Sequence, residues 1–386
     1  MTDVVIAGIG QLPVGEHYEL SLRQMGVRSL LAAIKDSGGM KPQALYIGNT
    51  LASMVSHQAN LGALFADYGG LGHIESYTAE ASGASGAAAL RLGYLAILSG
   101  YVDTVAVLGV EKWTDMAHSE SETALGMGLD GDYEGMQGLS EAGQAGLLMQ
   151  RYLHEFNLPH DALGGFAVQA HANGANNPIA FFKKAISFET YRQAEVTNDP
   201  LNLYDAAPYS DGAAALILTR RDLLPKDYSL PVVRLLGSSV SIDTLALHDR
   251  SHPLAFKAAK EAVDHACAQA GIMPVYTDVF ELDDSYSIYA ALTLEACGYA
   301  DPGDAPRLAR EGLLAPTSKL PAMTMGGCKA RGNPIGAKGV YQAVEAVMQL
   351  RGECGLNQVK DARLALTLAL GGPASTAIAH VFDRVP

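Results

Sequence analysis

The stretch GGCKARGNPIGAKG, from Gly326 to Gly339, ends in small residues that lead directly into the segment VYQAVEAVMQL. This pattern predicts a glycine-rich loop followed by a helix. The first turn of a helix has unpaired peptide N–H groups and partial positive charge. A second small-residue turn, GASG from Gly83 to Gly86, precedes the helical segment AAALRLGYLAILSG. If these two helix starts converge, they can form an anion or oxyanion site.

The same order of elements occurs twice along the chain: strand, helix, strand, small-residue turn, helix, strand and closing strand. In the first half these are VVIAGIG from Val4, a helix over Leu22 to Lys35, a strand over Ala44 to Gly48, GASG with its helix, VAVLGV from Val105 and AALILT from Ala214. In the second half they are VVRLLG from Val232, a helix over Phe256 to Ala270, VFEL from Val279, GAKG with its helix, LALTLAL from Leu364 and STAIAHVF from Ser375. Short apolar strands that alternate with helices favour sheets buried on both faces.

This repeat predicts an α/β protein made of two similar halves, residues 1–230 and 231–386, stacked about a pseudo-twofold axis. An insert from about Glu111 to Leu203 interrupts the first half and is rich in Gly, Met and polar residues. It contains a predicted helix around Ala142 to Phe156. Long inserts are usually functional, which favours a lid-like subdomain over a substrate site. The alternative is a surface excursion without function.

The composition excludes several classes of protein. The chain has 386 residues, 48% of them hydrophobic and 18% charged, with 41 glycines but only 9 Phe and 1 Trp. This is typical of a globular α/β protein with tight turns rather than of an aromatic-rich β-sandwich. The net charge of −14 argues against nucleic acid or an anionic membrane as a general partner. A phosphorylated ligand needs only a local basic patch or a helix N-terminus.

The cysteines and the N-terminus indicate a reduced, cytoplasmic protein. Four cysteines (Cys267, Cys297, Cys328, Cys354) are widely spaced and form no CxxC pair and no zinc-type cluster. No run of eighteen apolar residues predicts a membrane span. The first residues lack the basic region of a signal peptide and predict a buried strand. We therefore expect no metal site.

The loop at Gly326 resembles the signature GG…GHPIGA-G of the thiolase superfamily. Five further segments resemble that family in the same order along the chain: EASGASGAAAL from Glu80 (ENACASG-AA), HANGANNPIAFFKK from His171 (KSHxNAxxNPxAxFrK), APYSDGAAALIL from Ala207 (PxSDGAAA), FELDDSYS from Phe280 (EVHDCF) and LALGGPAST from Leu368 (the C-terminal glycine loop). The EVHDCF form belongs to the branch related to sterol carrier protein 2 thiolase. The resemblance implies the five-layered αβαβα thiolase fold.

The resemblance also implies a chemistry whose residues this chain lacks. In thiolases a cysteine thiolate at a helix N-terminus attacks an acyl-CoA carbonyl, with a histidine as base and amides as oxyanion donors. The positions that match those roles hold Gly83 (the nucleophile), Asp283 and Ser285 (the histidine and cysteine of HDC), Asn333 (the histidine of GHP) and Ala369 (a further cysteine). Two backbone features of the family's active site remain: the helix start at Gly83 and the loop Gly371–Gly372. Their amides can form an oxyanion hole.

Few residues can replace the missing nucleophile. Ser85 is shared with active members, where it is structural, and Ser82 has no histidine in a nearby motif to activate it. Cys328 lies within the glycine signature and can approach the pocket. Its alternative role is that of a small buried hydrophobic residue.

Replacement of the acid/base residues is also restricted. Asp283 can act as an acid or base if burial raises its pKa, whereas Asp284 is shared with the family and is expected to be structural. Tyr286 and, with less support, Tyr289 can protonate an enolate; ordinary packing is the alternative for both. The histidines of the chain (such as His171, His248, His252 and His380) lie in no motif that would replace the lost base, and we expect most of them to be surface or packing residues.

Three functions follow from this resemblance. The first is a retro-aldol lyase that cleaves C–C bonds of CoA thioesters, since some thiolase-like proteins without the cysteine do so with a small zinc-ribbon/OB-fold partner. The second is a non-catalytic binding or scaffold subunit of a thiolase complex. The third is a conventional acetyl-CoA acetyltransferase that uses a displaced residue. Conventional thiolase activity is predicted to be absent.

The expected ligand is a coenzyme A thioester, bound by the insert and by amides at Gly83 and Gly371, with no cofactor held permanently. The resemblance further implies a homodimer, or a dimer of dimers, that pairs its first-half sheets edge to edge near the strand at Val105. Closed twofold assemblies are the commonest soluble oligomers.

Overall fold

A computed structural model describes residues 3–385 and contains eleven strands in that range. The strands are β1 (Val4–Gln11), β2 (Ala44–Gly48), β3 (Glu75–Ala79), β4 (Thr104–Glu111), β5 (Val196–Asn198), β6 (Leu201–Asn202), β7 (Gly212–Arg220), β8 (Val233–Ile242), β9 (Val279–Glu281), β10 (Leu364–Gly371) and β11 (Thr376–Arg384). The strands predicted from both halves of the repeat are all present.

The α-helices separate these strands. They are α1 (Leu22–Asp36), α2 (Ala52–Val55), α3 (Leu61–Tyr68), α4 (Ser85–Leu98), α5 (His118–Gly126), α6 (Glu141–Glu155), α7 (Gly164–Gly174), α8 (Phe188–Arg192), α9 (Lys257–Ala270), α10 (Ser287–Ala296), α11 (Ala305–Arg310) and α12 (Lys338–Arg351). Helix α1 begins where Ser21 and Gln24 form a capping box. Helix α9 ends at Gly271, whose φ of +70° favours glycine.

The sheet order shows the internal symmetry. Nine strands follow the order β3-β2-β4-β7-β1-β8-β11-β10-β9. Counted outward from the centre of the sheet, the first half has the order β1-β7-β4-β2 and the second half has the order β8-β11-β10-β9. Strands at the same place in these two orders are equivalent in the sequence repeat, so the two half-sheets have the same topology and extend in opposite directions. Within residues 3–385, strands β1 and β8 join the two half-sheets through two neighbouring pairs, Val5–Arg234 and Ile6–Val233. The prediction of two similar α/β halves is confirmed.

Helices α4 and α12 pack against each other in the middle layer, between the half-sheets. Helix α1 covers the outer face of the first half-sheet and α9 that of the second, which completes the five layers. Gly83 lies two residues before the first residue of α4, and Gly336 lies two residues before the first residue of α12. The close approach needs glycine, because a Cβ on Gly86 would lie 2.9 Å from the carbonyl oxygen of Gly336. The two small-residue turns therefore meet at the pseudo-twofold axis.

The expected position of the dimer edge was wrong. Strand β4, which includes Val105, lies inside the sheet with β2 on one side and β7 on the other. Its peptide groups are therefore paired on both sides and cannot accept a strand from another chain. The edge of the first half-sheet is β3, where Tyr77 is 44% exposed. An edge-to-edge contact of this half-sheet would have to form there.

The insert forms a separate group of elements over the end of the sheets. It contains α5 to α8 and the two short strands β5 and β6, and its predicted helix is present as α6. Helices α6 and α7 pack against α10, which follows β9 in the second half. Among the described residues, no helix is long and apolar enough to cross a bilayer.

Candidate functional site

The side-chain space of residue 83 is filled by a lysine. A Cβ atom built on Gly83 would lie 2.6 Å from the Nζ of Lys338, 3.0 Å from its Cε and 2.6 Å from the carbonyl oxygen of Leu370. Lys338 is the first residue of α12, so the helix start of the second half places its side chain against the helix start of the first. The resemblance assigns the nucleophile to position 83, and an ammonium group stands there instead.

Lys338 is held by a buried carboxylate. Its Nζ lies 2.5 Å from Oδ2 of Asp283, and the two side chains are 4% and 0% exposed. The same carboxylate accepts hydrogen bonds from the N–H of Leu370 at 3.0 Å and from the N–H and Oγ of Ser285 at 3.1 and 2.6 Å. A carboxylate has about four acceptor sites, and all of them are occupied.

The charges of this pair stabilise each other. Burial by itself would raise the pKa of Asp283, but Lys338 and the hydrogen bonds lower it below its ordinary value. Burial would lower the pKa of Lys338, but the attraction of Asp283 raises it above its ordinary value. Both groups are therefore charged at neutral pH. A fixed ammonium at two converging helix starts is suited to stabilise an oxyanion.

A second carboxylate faces this pair from the insert. Glu141 is the first residue of α6 and is partly buried. Burial raises its pKa to about 7, against the attraction of Lys338. No described residue donates a hydrogen bond to the Glu141 side chain. Its acceptor sites, unlike those of Asp283, are free.

The charge of Glu141 acts on Tyr286 and Tyr289, whose ring centroids are 5.0 Å apart in an edge-to-face arrangement. Tyr286 is 7% exposed, and Tyr289 is fully buried. Burial and the charge of Glu141 raise the pKa of both phenols well above 10. The phenol of Tyr289 has no hydrogen-bond partner within residues 3–385. Both tyrosines are therefore protonated at neutral pH.

The cysteine and the asparagine of the glycine signature lie apart from this pair. Cys328 is fully buried, and its N–H donates to Oδ1 of Asp284 at 2.5 Å. Burial raises the pKa of the Cys328 thiol well above its ordinary value, so it is not a thiolate. Asn333 pairs with the backbone of Tyr209, and its Oδ1 has no partner among the described residues.

The two flanking serines and the C-terminal loop shape the turn at Gly83. Ser82 has a φ of +50°, and Ser85 Oγ donates to its carbonyl oxygen at 2.6 Å, which supports a structural role for Ser85. Gly371 lies against this turn, because a Cβ there would be 2.6 Å from the carbonyl oxygen of Ala81. Gly372 has a φ of +56° and turns the chain from β10 into β11.

A cavity of about 1150 Å³ opens beside Tyr286. Glu122 and Ala142 of the insert line part of this cavity. Aromatic rings and basic groups line much of the rest: Phe181, Phe182, Lys183, Lys184, Tyr204, Tyr209, Tyr286 and Lys329. Lys183 and Lys184 are exposed and form no ion pair with any described carboxylate. In a chain with a net charge of −14, this is a local site for a negatively charged group.

Two groups of this site were missed from the sequence. Lys338 was treated only as part of the turn that opens a helix, because the GHPIGA-G pattern leaves its position open; the signal that could have identified it is a lysine in an otherwise small and apolar turn. Glu141 carries no such signal, because an acidic residue in the first turn is ordinary helix capping. Within residues 3–385, no group of three or more His, Cys, Asp or Glu side chains is arranged to hold a metal ion.

We expect Gly83→Ala to destabilise the protein by about 1–3 kcal/mol, the usual cost of overpacking. The added methyl group would overlap a backbone oxygen as well as the lysine, and the backbone cannot move aside easily. Urea unfolding at pH 7 measures the change. Gly72→Ala is the matched control, because a Cβ there meets no atom within 4 Å. Equal midpoints for the two variants would contradict the packing described at residue 83.

Two family models match this chain. The model described as "Thiolase, N-terminal domain" matches residues 4–222, and the model described as "Thiolase C-terminal domain-like" matches residues 239–384. The first match lies within the first half of the sequence repeat, and the second match lies within the second half.

Individual proteins agree with these models. The acetyl-CoA acetyltransferase of Methanothermobacter thermautotrophicus is 36% identical over 386 residues, with 100% of both proteins covered. Sterol carrier protein 2 of Oryctolagus cuniculus is 33% identical over 211 residues, which are 53% of this chain and 38% of that protein. A solved structure titled "Ltp2-ChsH2(DUF35) aldolase" has a TM-score of 0.83 at 22% identity and covers 99% of this chain and 98% of its own. The predicted fold class is confirmed.

Proposed function

This chain belongs to the thiolase superfamily, and we propose that it binds a CoA thioester and cleaves a C–C bond of the acyl group without an acyl-enzyme. The observation that carries the proposal is the position of Lys338. Its ammonium fills the space of a side chain at residue 83, where the family resemblance assigns the nucleophile. A lysine held as an ammonium by Asp283 is not a nucleophile at neutral pH.

The same ammonium suits a retro-aldol reaction. When the bond between C2 and C3 of a β-hydroxyacyl thioester breaks, negative charge moves onto the thioester oxygen as an enolate. A preorganised cation beside that oxygen lowers the barrier. We assign this role to Lys338, with Asp283 as its positioning residue and Ser285 holding Asp283. Gly83, Gly371 and Gly372 allow backbone amides to approach the same oxygen.

Other predicted site residues have more peripheral roles in this proposal. Tyr286 contacts the acyl group from the cavity wall. Asn333, next to Tyr209, presents an Oδ1 that has no hydrogen-bond partner within residues 3–385. Cys328 is a buried neutral thiol that packs behind Asp284. Asp283 has no free acceptor site and is therefore not the base.

The cavity supports coenzyme A as the carrier of the acyl group. Lys183 and Lys184 are placed to pair with phosphate groups, and the aromatic rings along the wall can pack on an adenine or on an acyl chain. The acetyl-CoA acetyltransferase that matches the whole chain acts, by its name, on such a thioester. The insert then covers the ligand as a lid.

We further propose a small partner protein and a homodimer or dimer of dimers. The solved structure with the same fold is titled as an aldolase composed of Ltp2 and ChsH2(DUF35), which supports a two-component lyase. A zinc-ribbon/OB-fold protein is the partner that we expect. Strand β3 is the edge through which two first-half sheets would pair.

The proposal predicts the products of two incubations. With acetoacetyl-CoA and CoA, we expect no thiolysis at ordinary enzyme rates of about 1–1000 s⁻¹ and no covalent acyl adduct by intact mass. With 3-hydroxybutyryl-CoA we expect acetaldehyde and acetyl-CoA, measured by coupled reduction of the aldehyde and by chromatography. Titration calorimetry with acetyl-CoA measures binding separately.

The possible results distinguish the three functions. Rapid thiolysis would show a conventional acetyltransferase and reject the proposal. Binding without cleavage, with and without the partner, would show a scaffold subunit. An adduct on Ser82 or Cys328 would reject the non-covalent route.

A further inference from the structure

We propose that Glu141, presented by helix α6 of the insert, is the acid/base that removes the β-hydroxyl proton and returns it to the enolate carbon. This inference rests on the proposed function and assigns the proton transfer to a named residue. It also gives the insert a catalytic part in addition to that of a lid.

The position of Glu141 supports this role. Ser140 caps α6, accepting a hydrogen bond from the N–H of Gly143 at 3.0 Å, and so fixes Glu141 at the first position of the helix. The next residue, Ala142, lines the cavity together with Tyr286. Helix α6 packs against α10, the helix that Tyr286 precedes and Tyr289 belongs to. Glu141 is therefore one residue from the cavity wall, and the charges of Lys338 and Asp283 act on its carboxylate.

Glu141 differs from the two aspartates of the site in the hydrogen bonds that its carboxylate accepts. Asp283 uses its acceptor sites on Lys338, Ser285 and Leu370. Asp284 accepts from the N–H of Cys328. Glu141 accepts from no described residue, so a substrate hydroxyl can occupy its free lone pairs.

The groups that face Glu141 are of both signs. Lys338 from α12 attracts its negative charge, Asp283 and Glu122 of α5 repel it, and Tyr286 and Tyr289 are neutral. Burial is the largest effect and raises the pKa of Glu141 to about 7. Both protonation states are then populated near neutral pH, as an acid/base that acts twice requires.

The reaction balances without a further reactant. Glu141 takes the proton of the C3 hydroxyl, the C2–C3 bond breaks, and C3 leaves as an aldehyde or ketone. The electron pair of the broken bond forms the thioester enolate, whose oxygen faces Lys338. The protonated Glu141 then gives its proton to C2, which yields the shortened acyl thioester. The substrate class is therefore a CoA thioester with a free β-hydroxyl group, since a β-keto thioester has no such proton.

The test compares Glu141→Gln with Glu155→Gln. Glu155 is an exposed residue at the other end of α6, where it pairs with Arg151, so its substitution removes the same charge from the same helix. Two readouts are measured for wild type and both variants: cleavage of 3-hydroxybutyryl-CoA, and deuterium incorporation at C2 of acetyl-CoA in D₂O by NMR. Exchange at C2 reports the proton transfer alone, without C–C cleavage.

We expect Glu141→Gln to lower kcat and the exchange rate by about 10²–10⁴-fold, the usual contribution of a general acid or base. KM should change little. The wild-type rate should rise with pH through a midpoint near 7, and this limb should be absent from the residual activity of the variant. Glu141→Asp should retain part of the rate, and Glu155→Gln all of it.

Two results would overturn the inference in different ways. If Glu141→Gln exchanges and cleaves at the wild-type rate, Glu141 is not the base and the proposed lyase function stands. If wild type binds acetyl-CoA but neither exchanges its C2 protons nor cleaves the hydroxyacyl thioester, the proposed function fails and the inference fails with it.

Discussion

Replacement of Lys338 by methionine is expected to lower kcat for C–C cleavage by about 10²–10³-fold, the usual loss when one oxyanion donor is removed. Methionine has nearly the same length and leaves the space of residue 83 filled, so packing changes little. The charge that faces the enolate oxygen disappears. Steady-state kinetics with 3-hydroxybutyryl-CoA measure the loss, and the affinity for acetyl-CoA should change much less.

The same substitution should also reduce stability by about 3–5 kcal/mol, because it leaves a buried charge without its partner. Asp283 is fully buried and would lose the one ion pair that it forms with a described residue. The double variant Lys338→Met/Asp283→Asn removes both charges and keeps an acceptor for Leu370. It should recover most of the stability but none of the activity, which separates the catalytic role of the lysine from its structural one.

The pH dependence of this loss follows from the two pKa directions. The folded-state pKa of Asp283 is lowered, so its contribution is present above the ordinary aspartate range and is lost as pH falls below it. The folded-state pKa of Lys338 is raised, so its contribution is lost only as pH rises past the ordinary lysine range. In Lys338→Met, burial without the lysine raises the pKa of Asp283, so the stability difference between wild type and this variant should grow as pH rises above the ordinary aspartate range of about 4.

An exposed pair provides the control. Lys260 and Asp264 are 2.6 Å apart, close to the 2.5 Å of the Lys338–Asp283 pair, but their side chains are 58% and 45% exposed. Lys260→Met should cost less than about 1 kcal/mol and leave turnover unchanged. Wild-type turnover by Lys338→Met would reject the proposed role of this lysine in stabilising the enolate.

Arg331→Met is expected to destabilise the protein by about 3–5 kcal/mol without a direct effect on the reacting groups. Arg331 closes the turn Gly327–Arg331 of the glycine signature, and its Nε lies 3.0 Å from Oε1 of Glu345 in α12. Both side chains are 1% exposed. The substitution leaves Glu345 buried without a cation. Urea unfolding at pH 9, above the pKa of about 8 to which burial raises Glu345, measures the loss.

The pH dependence of Arg331→Met has a defined sign. Burial raises the pKa of Glu345 in spite of the attraction of Arg331. The folded state then holds a proton that the unfolded chain releases, so stability falls as pH rises above the ordinary glutamate range. Without Arg331 this fall should continue to a higher pH, so the variant should differ least from wild type below about pH 8 and lose further stability above it.

The double variant Arg331→Met/Glu345→Leu should recover much of the stability, as replacement of a whole buried ion pair often does. Arg151→Met, which breaks the exposed pair with Glu155, is the control and should cost less than about 1 kcal/mol. A loss of similar size in the buried and exposed pairs would contradict a structural role for Arg331 in the glycine signature.

The sequence by itself determined the elements of this protein and their repetition. The strands from Val4, Ala44 and Val279 and the helix that ends at Gly271 lie where predicted, because apolar periodicity and glycine stops act over a few residues. The equal spacing of GASG and GAKG before their helices also placed Gly83 and Gly336 in equivalent positions. The family resemblance agreed with this order along the whole chain.

Only the tertiary structure decided which side chains share the site. Lys338 meets Gly83 because α4 and α12 pack between two half-sheets, and nothing local to either residue specifies that contact. The edge position of β3, rather than β4, likewise depends on strand order, which is set by pairing across long stretches of chain. Glu141 joins the site from the insert because α6 packs on α10. Propensity and periodicity are short-range properties, whereas burial, charge pairing and pKa arise from residues that only folding brings together.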